Sequence, residues 1–327
     1  MMKLCRRASL TTLLLALAPA TVLAQSACDR NCLRNALDSY LHAVTTNTPE
    51  SAPLAYAMRQ TENAVNVPVG AGVWQSVTAL GDVQRRYFDP VSGQAAYYGG
   101  VMEGEEGALV TVRVRVENDS ITEAEWYIAR ANDPGMRGER KPGEPPANLL
   151  NLDYLKRNGP PQRTVPTAER ADRDTLIRIA DSYFDALTSH DRTVAMVHPG
   201  CGRAENGSPA PGGQFLPPLN PDQARTNGEV RDCLAGLENF DLSMVVARRI
   251  PLVDVEAQAV LSYGVFIRRP GSSTPRNVFS EWFFIEQAKI RTVYTSMFYP
   301  PATLAVPNWP PYEGHWPLPA EIGSGGN

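Results

Sequence analysis

Two acidic side chains, each followed by an amide, stand at one fixed separation in this sequence. Glu62 and Asn63 recur 143 positions later as Glu205 and Asn206. A carboxylate can accept and return a proton, and an amide can hydrogen-bond to charge that develops on a substrate oxygen. The first pair is therefore a candidate for acid–base chemistry, with Glu62 as the base. The alternative is structural: Glu62 caps or bridges the entrance of a strand, and Asn63 supplies a turn.

A second kind of candidate is the phenol of tyrosine. Tyr40 and Tyr183 also stand 143 positions apart, each as the last residue of an Asp-Ser-Tyr motif. A phenol that points into a cavity can donate to an oxyanion, whereas a core tyrosine uses its hydroxyl on a local partner. Close to the second motif, His198 and Glu205 could form an acid–base pair, or His198 could be a structural residue of a loop.

These motifs belong to a repeat that covers more of the chain. Residues 33–63 align without a gap on 176–206 with 9 identities in 31 positions, where ordinary composition would give about two by chance. One structural unit is therefore used twice. In both copies the apolar residues follow helical spacing, and Asp29 and Asp172 are expected to cap the two helices.

Strands follow the helix in each copy. Valine occupies every second position of 110–116, which predicts a strand with one buried face and an opposite face that is either solvated or in contact with the other half. The segment 121–129 is its hairpin partner, and 278–285 with 290–299 repeats the hairpin. Helices followed by an antiparallel sheet predict an α+β fold, with the sheet burying one face under the helices.

Composition divides the chain into five parts. Residues 1–24 have a basic start, a short apolar segment and a small-residue cleavage site, which predicts a Sec-type signal peptide and an exported protein, periplasmic or secreted. Residues 131–170 and 301–327 are rich in proline, and are expected to be a linker and a tail whose tryptophans dock on a surface. This leaves 25–130 and 171–300 as the two domains.

Charge and cysteine content narrow the class of partner. Removal of the signal leaves 28 Lys+Arg against 35 Asp+Glu, which argues against nucleic acid or an anionic membrane surface as a partner. No later apolar run reaches transmembrane length.

Four cysteines remain, and an even count in an oxidising compartment predicts two disulfides. We expect Cys28–Cys32 and Cys201–Cys233, with the other pairings left open. No metal site is expected, because no Cys-x-x-Cys occurs and the four histidines are scattered.

An ordered set of motifs in the first copy resembles a known family. Asp-Ser-Tyr on an amphipathic helix is followed by Thr61-Glu62-Asn63 and by Gly70-x-Gly72-x-Trp74, ahead of the predicted sheet. This order is similar to that of SnoaL-like proteins, which belong to the nuclear-transport-factor-type, cystatin-like α+β cone superfamily. With the initial Cys-x-x-x-Cys, it also resembles a secreted domain-of-unknown-function family. The resemblance is good over 28–130 and partial over 172–300, where Gly-x-Gly-x-Trp is missing.

The resemblance implies two tandem cone-shaped domains, each with a curved sheet that wraps around the helices and leaves an apolar cavity. Members often dimerise through their sheets, so two copies in one chain imply an intramolecular pseudo-dimer, as a monomer or within a further homodimer. Glu62 of this chain matches the start of the strand that carries the general base in ketosteroid isomerases of this fold. A carboxylate desolvated in such a cavity has a raised pKa suited to proton transfer.

The residues expected to carry function follow from this interpretation. Glu62 is the predicted base, with Tyr40 or Asn63 as hydrogen-bond donor. Side chains expected to line the cavities are Tyr56, Arg59, Trp74 and Tyr97 in the first copy, and Tyr183, His198 and Glu205 in the second. We expect a small hydrophobic, aromatic or polyketide-like ligand and, if the protein is an enzyme, cofactor-free isomerisation, elimination or hydration. The rival hypotheses are a binding module without turnover and an interaction protein that uses the C-terminal tail as an arm.

Overall fold

The computed structural model describes residues 28–136, 138, 150–209, 225–226, 229–230 and 232–300. The expected signal (1–24), the tail (301–327) and most of the inserted segment after 207 lie outside the described residues. In the described ranges, no helix combines the length and the apolar character needed to cross a membrane.

The first half consists of one long helix and a six-stranded sheet. Its elements are α1 (Arg30–Thr46), β1 (Leu54–Glu62), β2 (Val65–Asn66), α2 (Val73–Ser76), β3 (Ala79–Asp89), β4 (Gln94–Glu103), β5 (Glu106–Glu117) and β6 (Ser120–Arg130). The strand order is β2-β1-β6-β5-β4-β3. The sheet is mixed, because β1 pairs with β6 in parallel while the hairpins are antiparallel.

The second half repeats this order after a short linking helix. Its elements are α3 (Leu152–Arg157), α4 (Arg173–Ser189), β7 (Val197–Glu205), β8 (Ser208–Pro209), β9 (Arg225–Thr226), β10 (Glu229–Val230), β11 (Met244–Asp254), β12 (Ala259–Ile267), β13 (Asn277–Glu286) and β14 (Lys289–Phe298). The main sheet runs β11-β12-β13-β14-β7-β8, which is the order of the first sheet read from the other edge, and β9 and β10 form a separate pair.

Both long helices begin and end in the same way. The carboxylate of Asp29 accepts a hydrogen bond from the backbone N–H of the residue three positions later, at 2.8 Å. Asp172 makes the same contact at the same distance. Each helix has 17 residues and ends at a residue in the left-handed conformation, Asn47 or His190. The apolar stripe of each helix is buried against its own sheet. The sequence prediction of the two capped helices is confirmed.

Strand register shows that the halves are equivalent position by position. Glu62 pairs with Trp126 in the first sheet, and Glu205 pairs with Thr295 in the second. The offset is 143 positions on the first strand of each half and 169 on the last. The extra residues therefore lie between these strands, as the growth of the offset in the sequence predicts.

The outer faces of the two sheets pack against each other. Their aromatic side chains form a third core between the halves, in which Tyr127 stacks on Tyr263 at 4.8 Å between ring centroids. Thr111 of β5 accepts hydrogen bonds from Ser280 and Trp282 of the other half. The polar face of the valine-rich strand is therefore the contact between the halves, one of the two outcomes that its alternation predicts.

Two ion pairs cross this interface reciprocally. Arg30 of α1 contacts Asp254 at 2.8 Å, and Arg173 of α4 contacts Asp89 at 2.6 Å. Each carboxylate also accepts a backbone N–H from the opposite half, at 2.9 Å and 3.0 Å. Because the arginines and the aspartates occupy equivalent positions in the two copies, each contact is made twice across one approximate two-fold axis.

The chain is thus mostly β, with two tandem sheet-rich domains and few helices. Each half has one long helix rather than the several N-terminal helices expected from an α+β pattern. Prolines 49 and 53 follow α1 closely and cannot continue a helix. The linker residues 160–165 connect the halves by bonding to β3 on one side and to the β11–β12 turn on the other.

Candidate functional site

Glu62 ends strand β1 and is held in an ion pair. Its Oε1 accepts from Arg130 Nη2 at 2.8 Å, and its Oε2 accepts from the backbone N–H of Val73 at 3.1 Å. The side chain is 16% exposed. Arg130 also binds both carboxylate oxygens of Glu103, at 2.6 and 2.9 Å. The carboxylate of Glu62 therefore faces α2 and the end of β6, not an apolar interior.

Arg130 sets the electrostatics of this corner. Burial raises the pKa of the Glu103 carboxyl, but the hydrogen bonds and the charge of Arg130 outweigh it and the net pKa is lowered. Asp133, beside the same arginine, has its pKa raised, mainly by burial and further by the charges of Glu103 and Glu62. The corner carries three carboxylates around one guanidinium.

Asn63 explains why the Glu-Asn pair recurs. Its backbone has a left-handed φ of 49°, and Asn206 has 48°, a conformation that asparagine adopts more readily than most residues. The Asn63 amide accepts from the backbone N–H of Ile128 at 2.9 Å and donates to its carbonyl at 3.1 Å. Asn206 makes the same two contacts with Met297. In both halves the amide thus binds the backbone of the neighbouring strand at the end of the pairing.

The interior of the first half is filled by a neutral hydrogen-bonded cluster. The Tyr40 hydroxyl donates to Gln60 Oε1 at 2.9 Å and accepts from Trp126 Nε1 at 2.9 Å. Trp74 Nε1 donates to the same Gln60 oxygen at 2.7 Å. All four side chains are buried, and burial raises the pKa of the Tyr40 phenol. Tyr40 and Trp74 are thus together, and Glu62 and Asn63 do not join them.

The other predicted residues of the first half lie apart from this cluster. Tyr56 is fully exposed on β1. Arg59 contacts Glu123 at 3.5 Å on the same sheet. Tyr97 is buried, and its hydroxyl donates to the carbonyl of Gly100 at 2.7 Å. The structure therefore does not gather Tyr56, Arg59 and Tyr97 around one cavity.

In the interior of the second half, charged side chains occupy the place of this neutral cluster. Arg203 Nη1 donates to Glu281 Oε1 and to the Tyr183 hydroxyl, both at 2.6 Å. Its Nε and Nη2 donate to Glu205 Oε1 at 3.0 and 2.8 Å. The Tyr183 hydroxyl donates in turn to the carbonyl of Cys233 at 3.0 Å. One guanidinium thus binds two carboxylates and a phenol.

Glu281 is the most enclosed member of this cluster. Its side chain is 0% exposed, and Thr295 Oγ1 donates to its Oε1 at 3.1 Å. Its Oε2 is buried without a hydrogen-bond partner among the described residues. Burial raises the pKa of this carboxyl despite the opposing charge of Arg203. Burial likewise raises the pKa of the Tyr183 phenol.

Comparison of equivalent positions shows what changed between the halves. By strand register, Arg203 replaces Gln60, and Glu281 replaces Val112. The equivalent glutamates also differ in partner, because Glu62 is neutralised by an arginine from β6 and Glu205 by one from its own strand. The two halves therefore share a fold but not a core chemistry.

A cleft of about 70 Å³ opens above the charged cluster of the second half. Its floor is polar and its walls are largely apolar; the lining residues include Tyr183, Arg203, Glu205, Asp232, Leu187, Leu234, Leu237 and Phe240. A single water needs roughly 10–15 Å³ of such space, so the cleft has room for several heavy atoms. The structure brings Tyr183 and Glu205, two of the predicted binding residues, to this cleft.

A disulfide fixes one wall of the cleft. Cys201 on β7 is bonded to Cys233, and the residues after Cys233 line the cleft. The second disulfide joins Cys28 to Cys32 at the start of α1. Both bonds agree with the pairing expected from the sequence, and disulfides fit an exported protein. Among the described residues, no group of three or more His, Cys, Asp or Glu side chains is placed to hold a metal ion.

His198 lies in a different groove. This groove of about 750 Å³ is lined by linker residues 163–166, the start of β7 and the β13–β14 turn. His198 Nε2 lies 2.9 Å from the carbonyl oxygen of Glu286. His198 and Glu205 stand near opposite ends of β7, about 20 Å apart at strand spacing. The structure therefore does not bring this predicted pair together.

The second half also matches a known family model. A model described as a domain of unknown function, DUF8021, matches residues 169–297. The match spans α4 and nearly all of the second sheet, which is less than half of the chain. No curated protein matches the sequence.

Two residues of the cluster were not among the predicted site residues. Arg203 follows a glycine-rich start of β7, and Glu281 lies in the strongly apolar strand 278–285. Strand alternation could have revealed Glu281. Phe279 and Phe283 face the core of the second half, and Glu281 lies between them at the same two-residue spacing. A lone acid on the core face of a strand requires a buried partner.

Proposed function

We propose that the chain is an exported protein of two tandem SnoaL-like, cone-shaped domains joined as an intramolecular pseudo-dimer, and that its second domain binds a small hydrophobic or aromatic molecule. The reciprocal contacts of Arg30 and Arg173 support the pseudo-dimer, since a two-fold interface makes each contact twice. A long helix packed on one face of each sheet supports the cone-shaped fold.

One observation carries the choice of the second domain. Its cleft lies above Tyr183, Arg203 and Glu205, whereas the equivalent level of the first domain is closed by the Gln60 cluster. Apolar walls with a few convergent polar groups are typical of small-molecule sites. The first domain then serves as the structural half that supports the second through the shared interface.

If the ligand is turned over, the proposed chemistry is cofactor-free isomerisation, elimination or hydration. The proposal places the base at Glu205 rather than at Glu62, because Glu205 lines a cleft and Glu62 faces α2. Tyr183 is then the hydrogen-bond donor, with its hydroxyl turned from the Cys233 carbonyl, to which it donates in the structure, to the ligand. The rival, binding without turnover, is favoured by the ion pair of Glu205 with Arg203, since this contact already occupies the carboxylate that would act as the base.

The test uses a matched pair of tyrosine variants. Culture extract is passed over the full chain, over Tyr183→Phe and over Tyr40→Phe, and retained small molecules are measured by native mass spectrometry. Tyr183→Phe removes a buried hydroxyl bonded to Arg203, and should lower the retained amount about tenfold or more. Tyr40→Phe removes an equivalent hydroxyl from the closed half and should leave it unchanged.

The same experiment can reject the proposal. Equal retention by all three proteins would remove Tyr183 and the second cleft from the binding site. Loss with Tyr40→Phe alone would move the site to the first domain. Thermal denaturation of both variants controls for unfolding.

A further inference from the structure

The charges beneath the second cleft do not balance. Arg203 is one cation between two carboxylates, Glu205 at 2.8 Å and Glu281 at 2.6 Å. Tyr183 and Thr295 complete the cluster as neutral groups. When both carboxylates are ionised, the cluster has a formal charge of −1 in a largely desolvated site. A buried charge without a partner is unfavourable.

The other charged side chains around the cleft bond to groups outside the cluster. Asp232 on the rim is paired with Arg192 at 2.8 Å. Arg268, directly after β12, influences Glu205 through its charge, but it donates to the carbonyls of Asp241 and Pro275 and to Asn277. Its guanidinium lies over Phe240 and Phe266, and none of these contacts is an ion pair with Glu205 or Glu281. The surplus negative charge therefore belongs to the cluster itself.

The cluster also has acceptors in excess of donors. Arg203 makes four hydrogen bonds to Glu205, Glu281 and Tyr183 out of five that a guanidinium can donate. These bonds leave at most one guanidinium N–H of Arg203 for an acceptor on a ligand. Glu205 accepts through Oε1, and Glu281 Oε2 has no partner among the described atoms. Of the two carboxylates, Glu205 is the one that lines the cleft, so the polar end of the cleft is suited to a ligand that donates hydrogen bonds.

Resting on the proposed function, we propose that the cleft binds the protonated amine end of a small ligand with a short apolar body. Glu205, which lines the cleft, receives the ammonium group, and Leu187, Leu234 and Leu237 surround its first carbons. The volume of about 70 Å³ admits the head of such a ligand rather than a large ring system. Glu281 does not line the cleft and acts through Arg203 as a charge-positioning residue.

Binding of this cation is coupled to a proton. In the free protein the surplus charge is relieved by a proton on the Glu281 carboxyl. When the ammonium group enters, Glu281 loses this proton to solvent and becomes a carboxylate, so one positive charge replaces another. No bond other than the O–H bond is broken. Binding should therefore release up to one proton per ligand at neutral pH.

The first part of the test compares three probes of nearly equal size on the full chain: n-butylammonium, n-butanol and butyrate. Ligand-observed NMR titration at pH 7 should give a dissociation constant at least tenfold lower for n-butylammonium than for n-butanol, with butyrate weakest. Glu205→Gln should abolish this preference. The matched variant Glu62→Gln, in the first domain, should keep it.

The second part measures the proton. Calorimetric titration of n-butylammonium in buffers of different ionisation enthalpy should show proton release in the wild type and none in Glu281→Gln. If Glu205→Gln does not fold, Glu281→Gln carries the comparison, since the equivalent position in the first domain holds the uncharged Val112.

The outcomes separate the inference from the proposed function. Equal affinity for n-butanol and n-butylammonium, or tighter binding of butyrate, overturns the inference and leaves a hydrophobic site standing. Preferential n-butylammonium binding that survives Glu205→Gln also overturns it, because the cation then binds elsewhere. No measurable binding of any probe overturns both.

Discussion

The buried ion pairs of the second half contribute to the free energy of unfolding. This contribution can be measured by replacing the charged core residues with the residue types of the first half. Arg203→Gln installs the residue type of position 60. It should destabilise the protein by about 3–5 kcal/mol, because it leaves the carboxylate of Glu205 without its cation and takes the charged donor away from Glu281. Glu281 is 0% exposed and would keep only the hydroxyl of Thr295, at 3.1 Å, as a donor.

The complementary change should cost less. Glu281→Val installs the residue type of position 112 and leaves Arg203 bonded to Glu205 at 2.8 Å. We expect a loss of about 1–3 kcal/mol from the broken charged hydrogen bond and the smaller side chain. The double variant also removes the Glu281 acceptor but still leaves Glu205 without its cation, so it should be more stable than Arg203→Gln alone yet less stable than wild type, with a coupling energy of about 0.5–3 kcal/mol.

Guanidinium chloride denaturation of the full chain, followed by far-UV circular dichroism at pH 7, gives the four free energies of unfolding. Costs that add within about 0.5 kcal/mol would refute the reasoning, since they would show that the two side chains do not depend on each other. A cost below about 1 kcal/mol for Arg203→Gln would refute it as well, because a surface ion pair has that magnitude.

Three further measurements test other parts of the structure. Burial raises the pKa of Glu281 above its usual 4.5, so its contribution to stability is complete below pH 4.5 and is lost as the pH rises through the raised pKa. In denaturant titrations, the stability of wild type relative to Glu281→Gln should therefore fall over that range. A rise would contradict the assignment. Opening the disulfide of Cys201, which closes a separation of 32 residues, should cost about 3–4 kcal/mol, against about 2 kcal/mol for the bond of Cys32, which closes only 4; thermal melts of the serine variants would expose an inverted order. Asp254→Asn and Asp89→Asn should each cost about 1–3 kcal/mol, and unequal costs would argue against a reciprocal interface.

The repeat and its helices could be predicted from the sequence because their causes are local. The apolar stripe over 33–44, its copy over 176–187 and the capping aspartates are read from spacing alone. Strand alternation over 110–116 likewise gave the buried face correctly. The number of helices was less well predicted, since each half has one long helix and a six-stranded mixed sheet.

The candidate site could be predicted only in part. The recurrence of Glu62-Asn63 as Glu205-Asn206 marked equivalent strand ends, but the asparagines serve strand pairing in both copies. Identical local sequence therefore gave no information on which glutamate lines a cleft. That difference arises from Arg130 in one half and Arg203 in the other, and neither arginine lies within the shared motif.

The sequence by itself determined that one unit is used twice and where each copy begins, and it favoured the cysteine pairing that the structure shows. These properties depend on spacing along the chain, which is visible without a fold. The tertiary structure alone decided that the charged core lies in the second half, because Arg203 and Glu281 are 78 positions apart and meet only when β7 and β13 flank β14 in one sheet. A buried charge takes its properties from the groups that fold against it, and those groups are distant in sequence.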